Sequence, residues 1–541
     1  MKRKVLMLLT AGAILVGACS KSILDIDNPN EPGLPALESE EGIKRAALGI
    51  YDKFGLEYWW LALQCHDIMG DTYFTSVGNF AWRWVNQPTS ITLGNGTVVT
   101  PPQGGSQATE LKSRNSRDFG NDNVFYNEWL AMYLVNNQAN LLLDVVDRET
   151  LTLSGDDAGK RAVIRAWAYW WKGFAYSRIG SLYISGVISN VLNETNDNFV
   201  TYQDIIAEAN RNFDEAIGQL NGISMSEEEY RVFFSALIPS FTAVGNGGVI
   251  TPDAWIRNIN TYKARNLLVN KFVDEMTSAD WEQVKTLAQN GIRQGDKIFT
   301  MRSALQNDLV GGDGQAAWQT WRSTNTGWSY ISERLIQEFK PGDARFTRNF
   351  TTSSSGFPFV NRSGRGLAYG TRYDFIWIED GGDYSTQTAG LAEIPIAASF
   401  EENHLMLAEA FIKTGDIETG LGYIDDVREA QRADLPAVAG TGLDEAQAYE
   451  ELRRERRIAL INKNVSFYDA RRWGVLKPVS QGGGRTGAVV LYTEGEGDNA
   501  RLVVDDNATI DYNYLERWDV PANELDFNAP REGSAPVVFQ Q

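Results

Sequence analysis

The sequence predicts a mainly α-helical protein built from paired amphipathic helices, with long irregular loops and few short strands. Three observations predict it. Apolar residues recur at i, i+3 and i+4 spacing through most of the chain. Glycine-rich stretches (78–102, 245–248, 311–314, 353–370, 381–390 and 482–497) separate these blocks without forming a linker that would divide domains. Between residues 404 and 428, two helical stripes flank Gly415-Asp416 with a small residue on each helix, the pattern of two antiparallel helices in close approach.

In chain order, Lys2, Arg3 and Lys4 precede an apolar run over 5–16, and Gly17-Ala18 leads into Cys19. The run is shorter than the roughly 20 residues a spanning helix needs. The pattern therefore predicts a signal peptide (1–18) removed before Cys19, with the Cys19 thiol acylated; cleavage at the small residues 11–13 would leave too short an apolar core. Several acyl chains on one cysteine anchor a protein durably. Residues 19–40 then form a lipidated tether and 41–541 a single body. Taking 18 residues from 541 leaves 523, with Cys65 the one remaining thiol and so no intramolecular disulfide.

The helical blocks follow. Residues 41–55 carry a stripe of Ile43, Ala46, Ala47, Ile50, Tyr51 and Phe54. Block 129–146 presents Leu130, Tyr133, Leu134, Ala139, Leu142 and Val145, and block 158–180 presents Val163, Ala166, Trp167, Trp170, Phe174 and Ile179. Residues 205–220 and 262–276 behave likewise. The 404–428 segment, with Ala408, Phe411, Gly420, Ile424 and Val427, has the spacing of a tetratricopeptide unit. Residues 262–291 look like a looser copy, with Asp280-Trp281 in its turn. Near the end, a charged helix with apolar Leu452, Ala459 and Leu460 breaks at Asn464 and re-enters through Phe467 and Tyr468.

Composition narrows function. Seventy Asp and Glu against 50 Lys and Arg give a net charge of −20, or −23 once the three basic leader residues are gone. That balance argues against nucleic acid and anionic lipid as partners. Only His66 and His404 are present, and no Cys-x-x-Cys, His-Glu-x-x-His, Gly-x-Ser-x-Gly or phosphate-binding glycine loop occurs. Cys65-His66-Asp67 reads as a core position, because catalytic partners meet in space and not in sequence. His404 reads as a capping or packing residue. No catalytic residue, metal site or cofactor is indicated.

Sixteen tryptophans remain to be placed, several of them in loop stretches. Trp82, Arg83, Trp84 and Asn86 follow Asp71, and Trp318, Trp321, Trp328 and Tyr330 follow the 311–314 loop, with Arg322 among them. Trp and Tyr offer a rigid flat face with a polar handle, on which the C–H face of a sugar stacks while Asp, Asn and Arg bond its hydroxyls. These residues are the candidate ligand contacts. Trp82 and Trp84 share a face only if their segment is extended.

The stretch 450–474 resembles the C-terminal signature of the SusD/RagB family: an Arg-rich helix carrying Arg456, a turn at Asn464, then Asp469, Arg471, Arg472 and Trp473. Arg165-Ala166-Trp167 through Gly180, Glu409-Ala410 with Gly415-Asp416, and Trp518 with Pro521, Glu524 and Pro530 extend the resemblance. Asn464 stands for the family's Gly, a mild change because Asn tolerates the left-handed conformation. Ala459, Lys463 and Ser466 stand where the family has Glu, Glu and Arg, which predicts loss of an ion-pair network. The resemblance implies a SusD-like fold and an outer-membrane lipoprotein facing the cell exterior. It further implies that the protein is not an enzyme, and that it captures a nutrient oligosaccharide for a partner SusC-like TonB-dependent transporter. The alternatives are capture of peptides, a lipid-anchored glycan hydrolase, and an assembly scaffold without a small ligand.

Overall fold

The computed structural model describes residues 34–55, 62, 65–75, 82–243, 245–303, 330–352, 359–360, 366–376, 383, 392–495, 499 and 501–540. The helices begin with α1 (Glu40–Leu48), α2 (Ile50–Gly55), α3 (Trp82–Val85) and α4 (Gln107–Ser113), followed by the long pair α5 (Val124–Val146) and α6 (Asp157–Leu182). Next come α7 (Tyr202–Asn221), α8 (Glu227–Ser235), α9 (Pro252–Val269) and α10 (Ser278–Gln289). After α11 (Glu333–Ile336) and α12 (Ala344–Asn349), the last group is α13 (Phe400–Lys413), α14 (Ile417–Ala430), α15 (Glu445–Ala459), α16 (Ser466–Arg472) and α17 (Ala522–Leu525). Start signals in the sequence explain several of these boundaries. Thr251 caps α9 with Pro252 in its first turn, and Thr277 with Asp280 and Asp444 with Gln447 form capping boxes on α10 and α15.

Each helix buries its stripe on a neighbour: α5 on α1, α2 and α6, α6 on α7, α9 on α10, and α13 on α10, α14 and α15. The α13–α14 pair is close for the reason the sequence suggests. A Cβ on Gly420 would lie 2.8 Å from the Ala408 carbonyl oxygen and 2.6 Å from Ile412. The looser copy differs from expectation, because α9 starts at Pro252 and ends at Val269, and Asp280-Trp281 lies within α10 rather than in the turn. Likewise, 41–55 is two helices, α1 and α2.

The main core centres on α6, whose Trp167, Trp170, Trp171 and Phe174 are fully buried. Trp170 stacks on Phe299 at 3.8 Å between centroids, and Trp167 meets Trp171, Phe234 and Trp255 edge-on at 5.6–6.1 Å. Their ring nitrogens are used where a partner is near: Trp167 donates to the Ala47 carbonyl and Trp170 to Asn258, both at 3.2 Å.

Strands pack beside this helical body. One antiparallel sheet has the spatial order Val98–Val99, Ser90–Thr92, Arg501–Asp511, Arg485–Glu494, Tyr369–Thr371, Phe359–Val360. A second runs Tyr73–Phe74, Tyr330–Ile331, Tyr373–Phe375, Phe350–Thr352. The glycine-rich stretch 482–497, read as a loop, is in large part the ten-residue strand Arg485–Glu494, paired in the register Tyr492 to Val503. Its alternation is visible only once the β-bulges between Arg485 and Val490 are known.

The C-terminal signature forms a buried charged seam. Asp469 accepts from Arg456 at 2.9 and 3.0 Å and from Arg472 at 2.7 Å, while Arg472 also holds Glu409 of α13 at 2.6 and 2.7 Å. Trp473 has Arg453 and Arg472 each 5.0 Å from its ring. Arg471 pairs with no carboxylate among the described residues. It donates instead to the carbonyls of Ser181, Val269 and Glu516 at 2.7–3.0 Å, and so satisfies the orphan oxygens at the ends of α6 and α9. Asn464 has φ +59°, the conformation the family's Gly would adopt.

The predicted loss of an ion-pair network is corrected here. Lys463 pairs with Glu401 at 3.1 Å, and Ser466 donates to the His66 carbonyl and to Asp67 at 3.0 Å. A second buried set, Arg345 with Asp343 and Glu455, and Arg428 with Glu451 and Glu455, joins α12, α14 and α15. Arg472→Met is expected to strand Glu409 in the interior and to lower unfolding stability by about 3–5 kcal/mol. Urea denaturation measures this, and a change under about 1 kcal/mol would mean that the seam is structurally dispensable.

Candidate ligand-binding cleft

The structure moves the sequence-predicted contact residues inward. Asp71 is buried, with φ +54°, and its carboxylate accepts from Arg334 at 2.8 and 2.9 Å, Ser332 at 2.7 Å and Tyr512 at 2.5 Å. Burial alone would raise its pKa, but the Arg334 charge overrides that and holds it below the usual carboxylate range. Trp82 is fully buried in α3, and Trp84 is buried with Arg83 and Arg114 within 5.1 Å of its ring. The segment is helical rather than extended, so Trp82 and Trp84 do not share a face. The Asn86 carbonyl accepts from the Tyr369 hydroxyl, and the residue is buried. Tyr330 is buried in the strand that pairs with Tyr73–Phe74, opposite Phe74. Asp71, Asn86 and Tyr330 are thus buried parts of the core, and Arg83 is half-buried. Trp318, Trp321, Arg322 and Trp328 lie outside the described residues.

Cys65, His66 and Asp67 are a core motif, as read. All three are buried. His66 lies 2.8 Å from Glu128, which also accepts from Arg178 at 2.6 Å, and burial pushes the imidazole down to about 4. Burial likewise pushes the Asp67 carboxyl up to about 7, opposed by hydrogen bonds from Ser466, Thr72 and the Asn462 backbone. His404 stacks on Phe400 at 4.0 Å.

An open cleft of about 500 Å³ lies where the α13–α15 unit meets α10, α12 and the strands, a size typical of ligand sites. Helix ends build it. Ser399 caps α13 and so projects Phe400 and Glu401 from its first turn. The end of α14 delivers Gln431 and Arg432 (φ +52°), and the end of α15 delivers Asn462 (φ +64°) and Lys463. Phe339, Arg345, Asn349 and Phe350 come from around α12, and Arg293, Gln294 and Asp296 from beyond α10.

The charges here are closely tied. Asp383 accepts from Arg348 at 3.1 Å, from Asn349 at 3.0 Å and from Arg432 at 2.5 Å. Its burial is outweighed by these donors, chiefly Arg348, which hold its pKa below the ordinary range. Asp296 is held low in the same way by Arg257 at 2.6 and 2.8 Å, and half-buried Glu401 by Lys463. Each carboxylate lining the cleft therefore stays ionised at neutral pH. The arrangement offers guanidinium and amide donors, ionised acceptors and three phenylalanine rings. None of these residues except Lys463 and Asn464's neighbourhood drew attention in the sequence, because they converge from separate helix ends.

Comparison with known proteins bears on this architecture. Residues 402–531, which hold the charged seam, match the SusD family. The chain has a SusD-like fold and carries a segment similar to the SusD family. Its whole fold agrees: a SusD-like carbohydrate-binding protein from Bacteroides vulgatus is 14% identical with a TM-score of 0.55, covering 93% of this chain and 100% of that one. A SusD-like protein from Bacteroides fragilis is 14% identical with a TM-score of 0.55, covering 92% and 96%. A third structure, solved with xylogluco-oligosaccharide, is 14% identical with a TM-score of 0.55, covering 92% and 100%. No curated protein matches the chain in sequence. Among the described residues no helix is long and apolar enough to cross a membrane, and no group of metal-binding side chains occurs. The chain has the mainly α-helical SusD-like fold, and Ser466 bonds Asp67 at the position where the resemblance places an Arg.

That contact has a pH signature. Asp67 titrates higher in the folded protein than the unfolded value near 3.9, so the folded state holds an extra proton between about pH 4 and 7. Its contribution to stability is therefore lost as pH rises through that window. Asp67→Asn keeps the acceptor oxygen and removes the titration. Across pH 4 to 7, its stability is expected to rise steadily relative to wild type and then level off, measured by urea denaturation at each pH; parallel profiles would show that Asp67 is ionised throughout.

Proposed function

We propose that this protein is a lipid-anchored, outward-facing outer-membrane protein that captures a nutrient oligosaccharide and delivers it to a SusC-like TonB-dependent transporter. The observation that carries the reading is the polar, aromatic-lined cleft on a SusD-like body. Support for a sugar ligand comes from the fold neighbour solved with xylogluco-oligosaccharide and from the family's carbohydrate-binding members. Half-buried Phe400 supplies a ring face at the cleft, and the surrounding guanidinium and amide groups suit hydroxyls. Binding without turnover is the better chemical match. Glycoside hydrolysis needs one carboxylic acid kept protonated as a proton donor, and Asp296, Asp383 and Glu401, the cleft carboxylates among the described residues, are held ionised by cations.

The anchor rests on the leader and Cys19, and delivery rests on the resemblance to the SusD family. Titration of the soluble form lacking residues 1–19 with a panel of neutral and charged glycans is expected to give saturable binding, weakened about tenfold or more by Phe400→Ala. Binding of a peptide digest alone would transfer the reading to peptide capture, and silence from both would point to a scaffold. Separately, Cys19→Ser is expected to move the full-length protein from the membrane fraction to the soluble one. Retention of that variant in the membrane would remove the lipid anchor from the reading.

A further inference from the structure

The cleft runs against the charge of the chain. The protein has 70 acidic against 50 basic side chains, yet among the described residues the cleft lining has four cations, Arg293, Arg345, Arg432 and Lys463, against three carboxylates, Asp296, Asp383 and Glu401. Most of these are accounted for by partners. Arg345 is absorbed by Asp343 and Glu455, Lys463 by Glu401, and Asp296 by Arg257.

Two positive charges remain. Arg348 and Arg432 both lean on the Asp383 carboxylate, which also takes the Asn349 amide, so among the described residues one guanidinium charge there is uncompensated. Arg348 spends its other donors on the Gln431 and Arg432 carbonyls at 2.7 and 2.8 Å, whereas the Arg432 side chain is 72% exposed. The second is Arg293, which is exposed; its backbone N–H donates to Asp296 at 2.8 Å and its charge acts on that carboxylate through space, while Arg257 holds the carboxylate directly. Glu429 and Asp434 flank Arg432 in sequence, but neither lines the cleft or pairs with it among the described residues.

A planar guanidinium matches a carboxylate in a two-point bond that a hydroxyl cannot reproduce. On a surface that repels anions at long range, a local cationic excess is a selectivity element, since it rewards only an anion brought into contact. Resting on the reading above that the cleft binds a saccharide, we propose that its ligand is an acidic saccharide whose sugar carboxylate is taken by Arg432 and Arg293. Gln294 at the rim and the Phe400 ring are placed for the remainder of the sugar.

The test is calorimetric titration of the soluble protein with an oligogalacturonate and with neutral xylo- and malto-oligosaccharides of equal length, at about 20 mM and about 500 mM salt. Wild type is expected to favour the acidic oligosaccharide by about tenfold or more at low salt, with the advantage shrinking at high salt. Arg293→Gln and Arg432→Gln are each expected to weaken acidic binding by about fivefold or more, and to weaken it more than any neutral binding. Both side chains are exposed, and unchanged melting of the variants confirms that the fold is intact. Neutral binding equal to or tighter than acidic binding overturns the proposal and leaves saccharide capture standing. Acidic binding indifferent to both substitutions also overturns it, by placing the carboxylate elsewhere. Absence of binding by every saccharide overturns the proposal together with the reading beneath it.

Discussion

The structure depends on a small set of arginines that hold charge and backbone together in the interior. Asp469 alone could not be buried, because an unpaired carboxylate in a dry core is strongly disfavoured. Between Arg456 and Arg472 it is paired twice, and Arg472 carries the pairing on to Glu409. Arg471 and Arg517 solve a different problem. They reach the last carbonyls of α6 and α9, whose oxygens have no partner within their own helices. Burial lowers the pKa of Arg471, which has no paired carboxylate among the described residues to offset the loss of water; the carbonyl dipoles at those helix ends serve in place of a counter-charge.

The same turn that enters this seam shapes the cleft. Asn462 and Asn464 both take the left-handed conformation, one on each side of Lys463. That geometry stops α15, turns the chain into α16, and leaves Lys463 facing Glu401 at the cleft wall. Structural and ligand-facing roles are therefore interleaved residue by residue over 455–472, and the cleft inherits its rigidity from a seam buried beside it.

Periodicity in the sequence was enough to find the helices and the close α13–α14 pair, since Ala408 and Gly420 announce an approach that larger residues forbid. His66 was assigned to the core on another ground, that a Cys-His-Asp run in sequence is weak evidence for a catalytic set. Trp82 and Trp84 were misplaced because a tryptophan in a loop-like stretch reads the same whether it faces water or fills the interior, and only the contacts of α3 with its surroundings decide. The strand Arg485–Glu494 was hidden by glycines that signal loops but here accompany bulges. The cleft was illegible for another reason. Its charges sit singly at the ends of α12, α13, α14 and α15 and just beyond α10, so their sum exists only in three dimensions.

One consequence concerns time. Arg457 donates to the carbonyls of Gly70 and Asp71, 387 and 386 residues away, and Ser466 reaches the His66 carbonyl across 400 residues. The N-terminal core is thus closed by side chains that leave the ribosome long after the residues they hold. Contacts so distant along the chain form late and slowly, and until they form, the nascent polypeptide lacks its latch.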